Sequence, residues 1–382
     1  MKKRPNILWI FSDQQPAYTL GCNGDPNSRT PNLDRLAGSG FNFKNAVSGF
    51  PLCCPFRGSL LTGLYPQHCV PGHEYRMPPE LPTAADCFNA AGYDTAYFGK
   101  WHLDGMKEHI TPRVGKRVIP RERRGRFGRW LGYENNNMQF DCYVHGHLDA
   151  ATEVPVTRLP GYETDSLTDY LLDYLREPGR EEKPFFAVLS VQPPHNPYLA
   201  PAEYQRRYQP QEIKLRPNVA HNPAVENKVR HDLAGIYAMI ENLDDNVGRI
   251  WNCLRENDLD RDTWILFFSD HGDMESAEDV TPTVLDWLDR NGSKDNWYLH
   301  VNYWDPHTPY RAPEKFGNPF QNDPLPAWLT PEEIERQKRE TVGLHGIAEI
   351  NMYNDNENPK FPRQPGKVTD MESGIRRAAR CF

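Results

Sequence analysis

The feature that most constrains this chain is a set of short, unbroken apolar runs separated by helical stretches. Asn6 to Ser12 (NILWIFS), Phe185 to Val191 (FFAVLSV) and Trp264 to Phe268 (WILFF) read as strands, and Thr95 to Phe98 is a fourth. Continuous apolar runs of this length suit strands covered on both faces. Between them lie helical patterns. Val229, Leu233, Ile236, Tyr237, Ile240, Leu243, Val247, Ile250, Trp251 and Leu254 recur at spacings of three and four, which predicts one long helix. Leu167 to Arg176 has the same spacing, and Thr83 to Ala91 reads as a short helix closed by Gly92. Strands alternating with helices imply an α/β sandwich around a central, largely parallel sheet.

Each of these strands runs into polar residues. They are Asp13-Gln14, Gly99-Lys100-Trp101-His102, Pro194-His195 and Ser269-Asp270-His271-Gly272-Asp273. In open α/β sheets, ligands bind at the carboxyl ends of the strands. Asp13, Lys100, His102, His195, Asp270 and His271 are therefore expected on one rim. One polar strand end carries little weight, but four together point to a site. Carboxylates with the Gln14 amide oxygen suit a hard divalent cation such as calcium. A histidine in the set leaves manganese or another transition metal open.

Composition narrows the function. The 382 residues carry a net charge of -8, with 44 Lys+Arg against 52 Asp+Glu, which weighs against a general nucleic-acid binder. The 35 prolines are spread without a repeat, so a collagen-like or linker reading fails. No apolar run approaches the roughly 20 residues of a membrane span. Met1 to Arg4 is basic, but Ile7 to Phe11 is too short for a signal peptide and no small-residue cleavage site follows. The eight cysteines are irregularly placed, unlike a disulfide framework. The expectation is a cytoplasmic protein with reduced thiols, no membrane partner and no nucleic acid.

The most specific segment is Pro51 to Gly63, which contains Cys53-x-Pro55-x-Arg57 followed by Leu61-Thr62-Gly63. It resembles the signature of the type I sulfatases, whose cysteine is oxidised after translation to formylglycine. Pro55 and Arg57 identify Cys53 as that residue, and Cys54 does not fit. The resemblance continues through Asn6 to Gln14, Thr30-Pro31-Asn32-Leu33-Asp34-Arg35-Leu36-Ala37, Gly99 to Leu103, Pro194-His195-Asn196-Pro197 and Ser269 to Asp273. It covers residues 1–275 in the family's order. It implies the alkaline-phosphatase-like α/β fold and hydrolysis of a sulfate ester, with a sulfated carbohydrate as the expected substrate.

The resemblance also implies roles. Asp13, Gln14, Asp270 and His271 would hold one divalent metal, calcium first, with manganese and magnesium open. Formylglycine at Cys53 would supply the nucleophile after the action of a formylglycine-generating enzyme. Lys100 and His195 would neutralise charge on the sulfuryl oxygens. His102 would take the proton as sulfate leaves. Arg57 would fix the hydrated aldehyde. Phosphonate monoester or phosphodiester hydrolysis, on the same superfamily framework, is the alternative. So is a truncated or fused sulfatase-like protein without turnover.

Two further features stand apart. Lys107 to Trp130 holds nine Lys/Arg against two Glu, which is either a solvated insertion or a rim attracting an anionic sugar. In the second reading Trp130, Tyr133 and Asn135 to Asn137 would stack on or bond the sugar. After Asp273 the pattern departs from the family, because no lysine appears until Lys294. Residues 279–382 resemble the middle of a second sulfatase without a catalytic signature, with Asp305 and His307 matching the His195 region. The family's C-terminal subdomain is expected to be missing or replaced.

Overall fold

The computed structural model describes residues 4–272, except 45, 108–113, 217, 218 and 220–222. The expectations for residues 279–382, including Lys294, Asp305 and His307, lie outside the described residues. The strands are β1 (Asn6–Ser12), β2 (Asp94–Lys100), β3 (Arg129–Tyr133), β4 (Tyr143–His147), β5 (Glu153–Arg158), β6 (Phe185–Ser190) and β7 (Thr263–Ser269). The helices are α1 (Pro31–Ser39), α2 (Cys53–Thr62), α3 (Pro66–Cys69), α4 (Ala84–Ala90), α5 (Glu163–Leu175), α6 (Ala202–Gln205) and α7 (Pro223–Glu256). They build one sheet in the order β5-β4-β3-β2-β6-β1-β7. From β3 to β7 every pairing is parallel, while β4 and β5 add an antiparallel flank. This is the expected α/β sandwich.

Side chains alternate between two cores, as the twofold strand period demands. Leu8 and Ile10 of β1 and Phe185, Ala187 and Leu189 of β6 pack with Leu167 and Leu171 of α5 and Leu243 and Val247 of α7. Phe11, Phe186 and Val188 pack on the opposite face with Leu61 of α2 and Ala85 of α4. The helix ends follow local chemistry. Thr83 and Asp86 form a capping box on α4. Asp244 of α7 accepts from the backbone N–H groups of Asn32 (3.1 Å) and Leu33 (2.7 Å), capping the first turn of α1 from another helix. No described helix is long and apolar enough to cross a membrane.

The antiparallel flank was not visible in the sequence. Gly132 and Gly146 interrupt β3 and β4, and Pro155 interrupts β5. A proline is tolerated there because β5 is an edge strand.

Candidate active site

The parallel strands deliver their carboxyl ends to one edge. Ser12 of β1 pairs with Ser269 of β7, so Asp13 and Asp270 follow side by side. The crossing is tied by three bonds. Asp270 N–H donates to Ser12 O (3.2 Å), Gln14 N–H to Asp270 Oδ1 (3.0 Å) and Gln15 N–H to Ser269 Oγ (3.0 Å). Gln14 takes a left-handed φ of 63°, which an amide side chain tolerates better than a branched one. On β2, beyond β6, Gly99 places Lys100. A Cβ at Gly99 would lie 2.0 Å from Ser190 O, and its φ is +107°, so only glycine fits.

The second contributor is α2, whose first residue is Cys53. Arg57 stands four residues on and shares its helix face. Both are buried. Arg57 donates to Asp13 Oδ2 (3.0 Å), Asp270 Oδ2 (3.2 Å), Lys100 O (2.9 Å) and Ser190 Oγ (2.7 Å). Lys100 Nζ lies 2.6 Å from Asp13 Oδ2. The Oδ2 edges of both carboxylates are thus occupied by cations. Their Oδ1 edges face a different group. Cys53 Sγ is 3.3 Å from Asp13 Oδ1 and 3.1 Å from His271 Nε2. His271 Nε2 lies 3.8 Å from Asp13 Oδ1 and 3.7 Å from Asp270 Oδ1.

The electrostatics follow from this packing. Burial opposes charge on Asp13, but Lys100 and Arg57 outweigh it and hold its carboxyl well below the usual range. Burial and the neighbouring Asp13 push Asp270 up. Burial and Asp13 also push the Cys53 thiol well up, so an unmodified Cys53 stays protonated and poorly nucleophilic. Lys100 and Arg57 remain charged, because their carboxylate partners outweigh the desolvation cost.

A divalent cation fits this donor set. Ligand atoms of Asp13, Cys53, Asp270 and His271 all lie within 4.8 Å of one another. His271 Nδ1 donates to Gly272 O (2.7 Å), which leaves the Nε2 lone pair turned towards the carboxylates. Metal-ligating histidines are commonly oriented in this way. The elevated Asp270 also fits, since two buried carboxylates in contact are relieved by a cation between them. The charge arithmetic agrees. Asp13 and Asp270 cancel Arg57 and Lys100, so a dication leaves the pocket at about +2, suited to an anionic ester.

The remaining rim residues are placed less uniformly. His195 is half-buried, and its Nδ1 donates to Asn196 O (2.7 Å). Its ring is near enough to Asp13 to act on that carboxylate electrostatically, after Lys100 and Arg57. His102 is buried beside His73, with ring centroids 5.2 Å apart, and near Cys54 rather than in the Asp13 cluster. Arg57 gives its bonds to the two carboxylates, Lys100 O and Ser190 Oγ. Ser190 was missed. It ends β6 and ties Lys100 O to Arg57, and the strand-end rule would have found it.

Five arginines of the basic segment are answered by carboxylates and so are not free for an anionic ligand. Arg121 and Arg124 pair with Glu153, Arg123 with Asp104, Arg126 with Asp86 and Arg129 with Glu177. Trp130 and Tyr133 are fully buried, so neither can stack on a sugar. Asn136 N–H donates to Gln192 Oε1 (3.1 Å), and Gln192 Nε2 donates to Asn137 Oδ1, so this stretch braces the loop before His195.

Comparisons with known proteins give the family. The family model described as Sulfatase matches residues 5–277. The chain belongs to the sulfatase family. It is 37% identical to the ulvan-active sulfatase of Formosa agariphila over 73% of this chain and 52% of that protein. It is 30% identical to the endo-4-O-sulfatase of Bacteroides thetaiotaomicron over 71% of this chain and 59% of that protein. Among solved structures, the yidJ sulfatase of Bacteroides fragilis superposes with a TM-score of 0.64 at 29% identity, covering 71% of this chain and 63% of that one. The matches thus span between half and two thirds of these relatives' own lengths.

Proposed function

We propose that this chain hydrolyses the sulfate ester of a sulfated glycan, at a nucleophile made from Cys53. The observation that carries the reading is the position of Cys53 Sγ. It sits at the start of α2, between Asp13 and His271, on the open edge of a buried carboxylate pair. Formylglycine at this position, made by a maturation enzyme, would supply the attacking oxygen that a protonated thiol lacks. Asp13, Gln14, Asp270 and His271 would hold the cation, with calcium favoured by the oxygen donors. The cation would supply Lewis acidity beside the reacting oxygens.

The chain's own residues divide the other work. Lys100 and His195 neutralise charge as it develops on the sulfuryl oxygens. Arg57 keeps both carboxylates aligned towards the cation. His102 accepts a proton during release of sulfate. The names of two relatives, one active on ulvan and one an endo-4-O-sulfatase, support a sulfated polysaccharide as the substrate.

The test is co-expression with a formylglycine-generating enzyme, followed by mass analysis and a substrate panel. The Cys53 peptide should be lighter by about 18 Da, the thiol-to-aldehyde change. Sulfate should be released from a sulfated oligosaccharide faster than phosphate or phosphonate products from the matching esters. Faster phosphonate or phosphodiester cleavage would assign the site to the alternative chemistry. An unmodified thiol in a competent host would favour a protein without turnover.

A further inference from the structure

Adjacent helix positions are rotated by about 100°, so Cys53 and Cys54 face different surroundings. Cys53 meets carboxylates. Cys54 meets imidazoles. Its Sγ lies 3.8 Å from His73 Nδ1, and ligand atoms of Cys54, His73 and His102 all lie within 4.8 Å of one another. The Glu74 N–H also donates to Cys54 Sγ (3.3 Å), a contact that stabilises negative charge on sulfur. Cys54 and His102 are buried, whereas His73 is exposed and gives the cluster an opening to solvent.

We infer a second metal site at Cys54, His73 and His102, selective for a soft or borderline cation such as zinc. One thiolate and two imidazoles are donors that zinc takes readily and calcium does not. Tetrahedral zinc with ordinary bond lengths needs S···N separations of about 3.5 Å. The Cys54–His73 spacing is already near that value, and the third donor closes with a side-chain adjustment. Three protein ligands leave one position for water. Binding releases the Cys54 thiol proton to solvent and forms a metal–thiolate bond without any redox change.

The site has a consequence for turnover, which rests on the role proposed for His102. A cation on the His102 ring occupies the lone pair needed to accept a proton. Zinc is therefore an inhibitor acting beside, and separately from, the calcium-type cluster of Asp13 and Asp270.

Binding and inhibition are tested apart. The first readout uses the Cys53→Ala chain in excess calcium, titrated with cobalt(II) as a spectroscopic stand-in for zinc. A cobalt–thiolate charge-transfer band should appear, and should vanish when Cys54→Ser is added. His73→Ala should weaken cobalt binding by at least about tenfold. A band that survives Cys54→Ser, or binding unchanged by His73→Ala, overturns the site whatever the enzyme does. The second readout is zinc inhibition of the matured protein. His73→Ala should keep the basal rate and raise the inhibitory zinc concentration by at least about tenfold. If cobalt binds as described yet zinc leaves the rate unchanged, the metal site stands and the role of His102 falls.

Discussion

Arg57 and Arg124 are both buried, yet they build opposite things. Arg57 lies between Asp13 and Asp270, each fully buried, and touches only the inner edge of each. Their outer edges stay directed at Cys53 and His271. Arg124 sits in the antiparallel flank and is closed in on all sides. It donates to Ile119 O (2.9 Å), His147 Nδ1 (2.9 Å) and Glu153 Oε2 (2.9 Å), and lies over the Trp130 ring. Glu153 is itself about half exposed. The difference teaches that a buried cation does not mark a site by itself. A site is marked where buried charged groups keep ligand atoms directed away from their partners.

The comparison breaks or sharpens on stability first. Arg57→Ala strands the buried Asp270 carboxylate and leaves Asp13 with Lys100 alone, and should cost about 3–5 kcal/mol in urea unfolding with chelator present. Arg124→Ala returns Glu153 to water and should cost only about 1–2 kcal/mol, with sulfate release unchanged. Equal losses would show that the two environments are not different in kind.

A second effect concerns pH. Burial pushes Glu163 up to about 7, against the bonds it accepts from Tyr133 and Gln192. Its ordinary value is 4.5, so between these values the folded chain retains a proton that the unfolded chain has released. Stability therefore falls as pH rises through this window, and the full cost is present above it. Glu163→Gln should remove up to about 3 kcal/mol of that fall, read by urea unfolding at about pH 5 and about pH 8. Glu134, also raised to about 7 by burial, retains a similar dependence in the variant. An unchanged pH slope would place the Glu163 proton elsewhere.

The third effect is metal. Calcium at about a hundred times its dissociation constant should stabilise the chain by about 2.7 kcal/mol. Asp270→Asn should abolish most of this gain, while Glu153→Gln in the flank should leave it intact. A gain that survives Asp270→Asn would put the cation outside the strand-end cluster.

The same contrast explains what the sequence revealed. β1 and β6 are buried between neighbouring strands, so they read as apolar runs, whereas β7 ends the described sheet with Trp264 and Leu266 exposed although its sequence is equally apolar. α7 read as a helix because its buried stripe keeps a regular spacing from Leu233 to Leu254. The strand-end groups were legible because topology alone brings parallel strand ends together. The flank was not legible, since Gly132, Gly146 and Pro155 break its pattern and its order comes from tertiary pairing. The arginines there suggested a charged rim because Asp86, Asp104, Glu153 and Glu177 lie far away in sequence. His73 gave no signal at all, since only the fold sets it beside Cys54 and His102.

The most direct test of the central claim is sulfate release by the Cys53→Ala chain, co-expressed with the maturation enzyme and assayed in calcium on a sulfated oligosaccharide. Cys53 is small and the substitution leaves Asp13, Asp270 and His271 in place, so folding and the calcium-dependent stability should be retained. The account predicts that sulfate release falls to background. Activity above about a tenth of the parent's would contradict it and place the nucleophile at another residue.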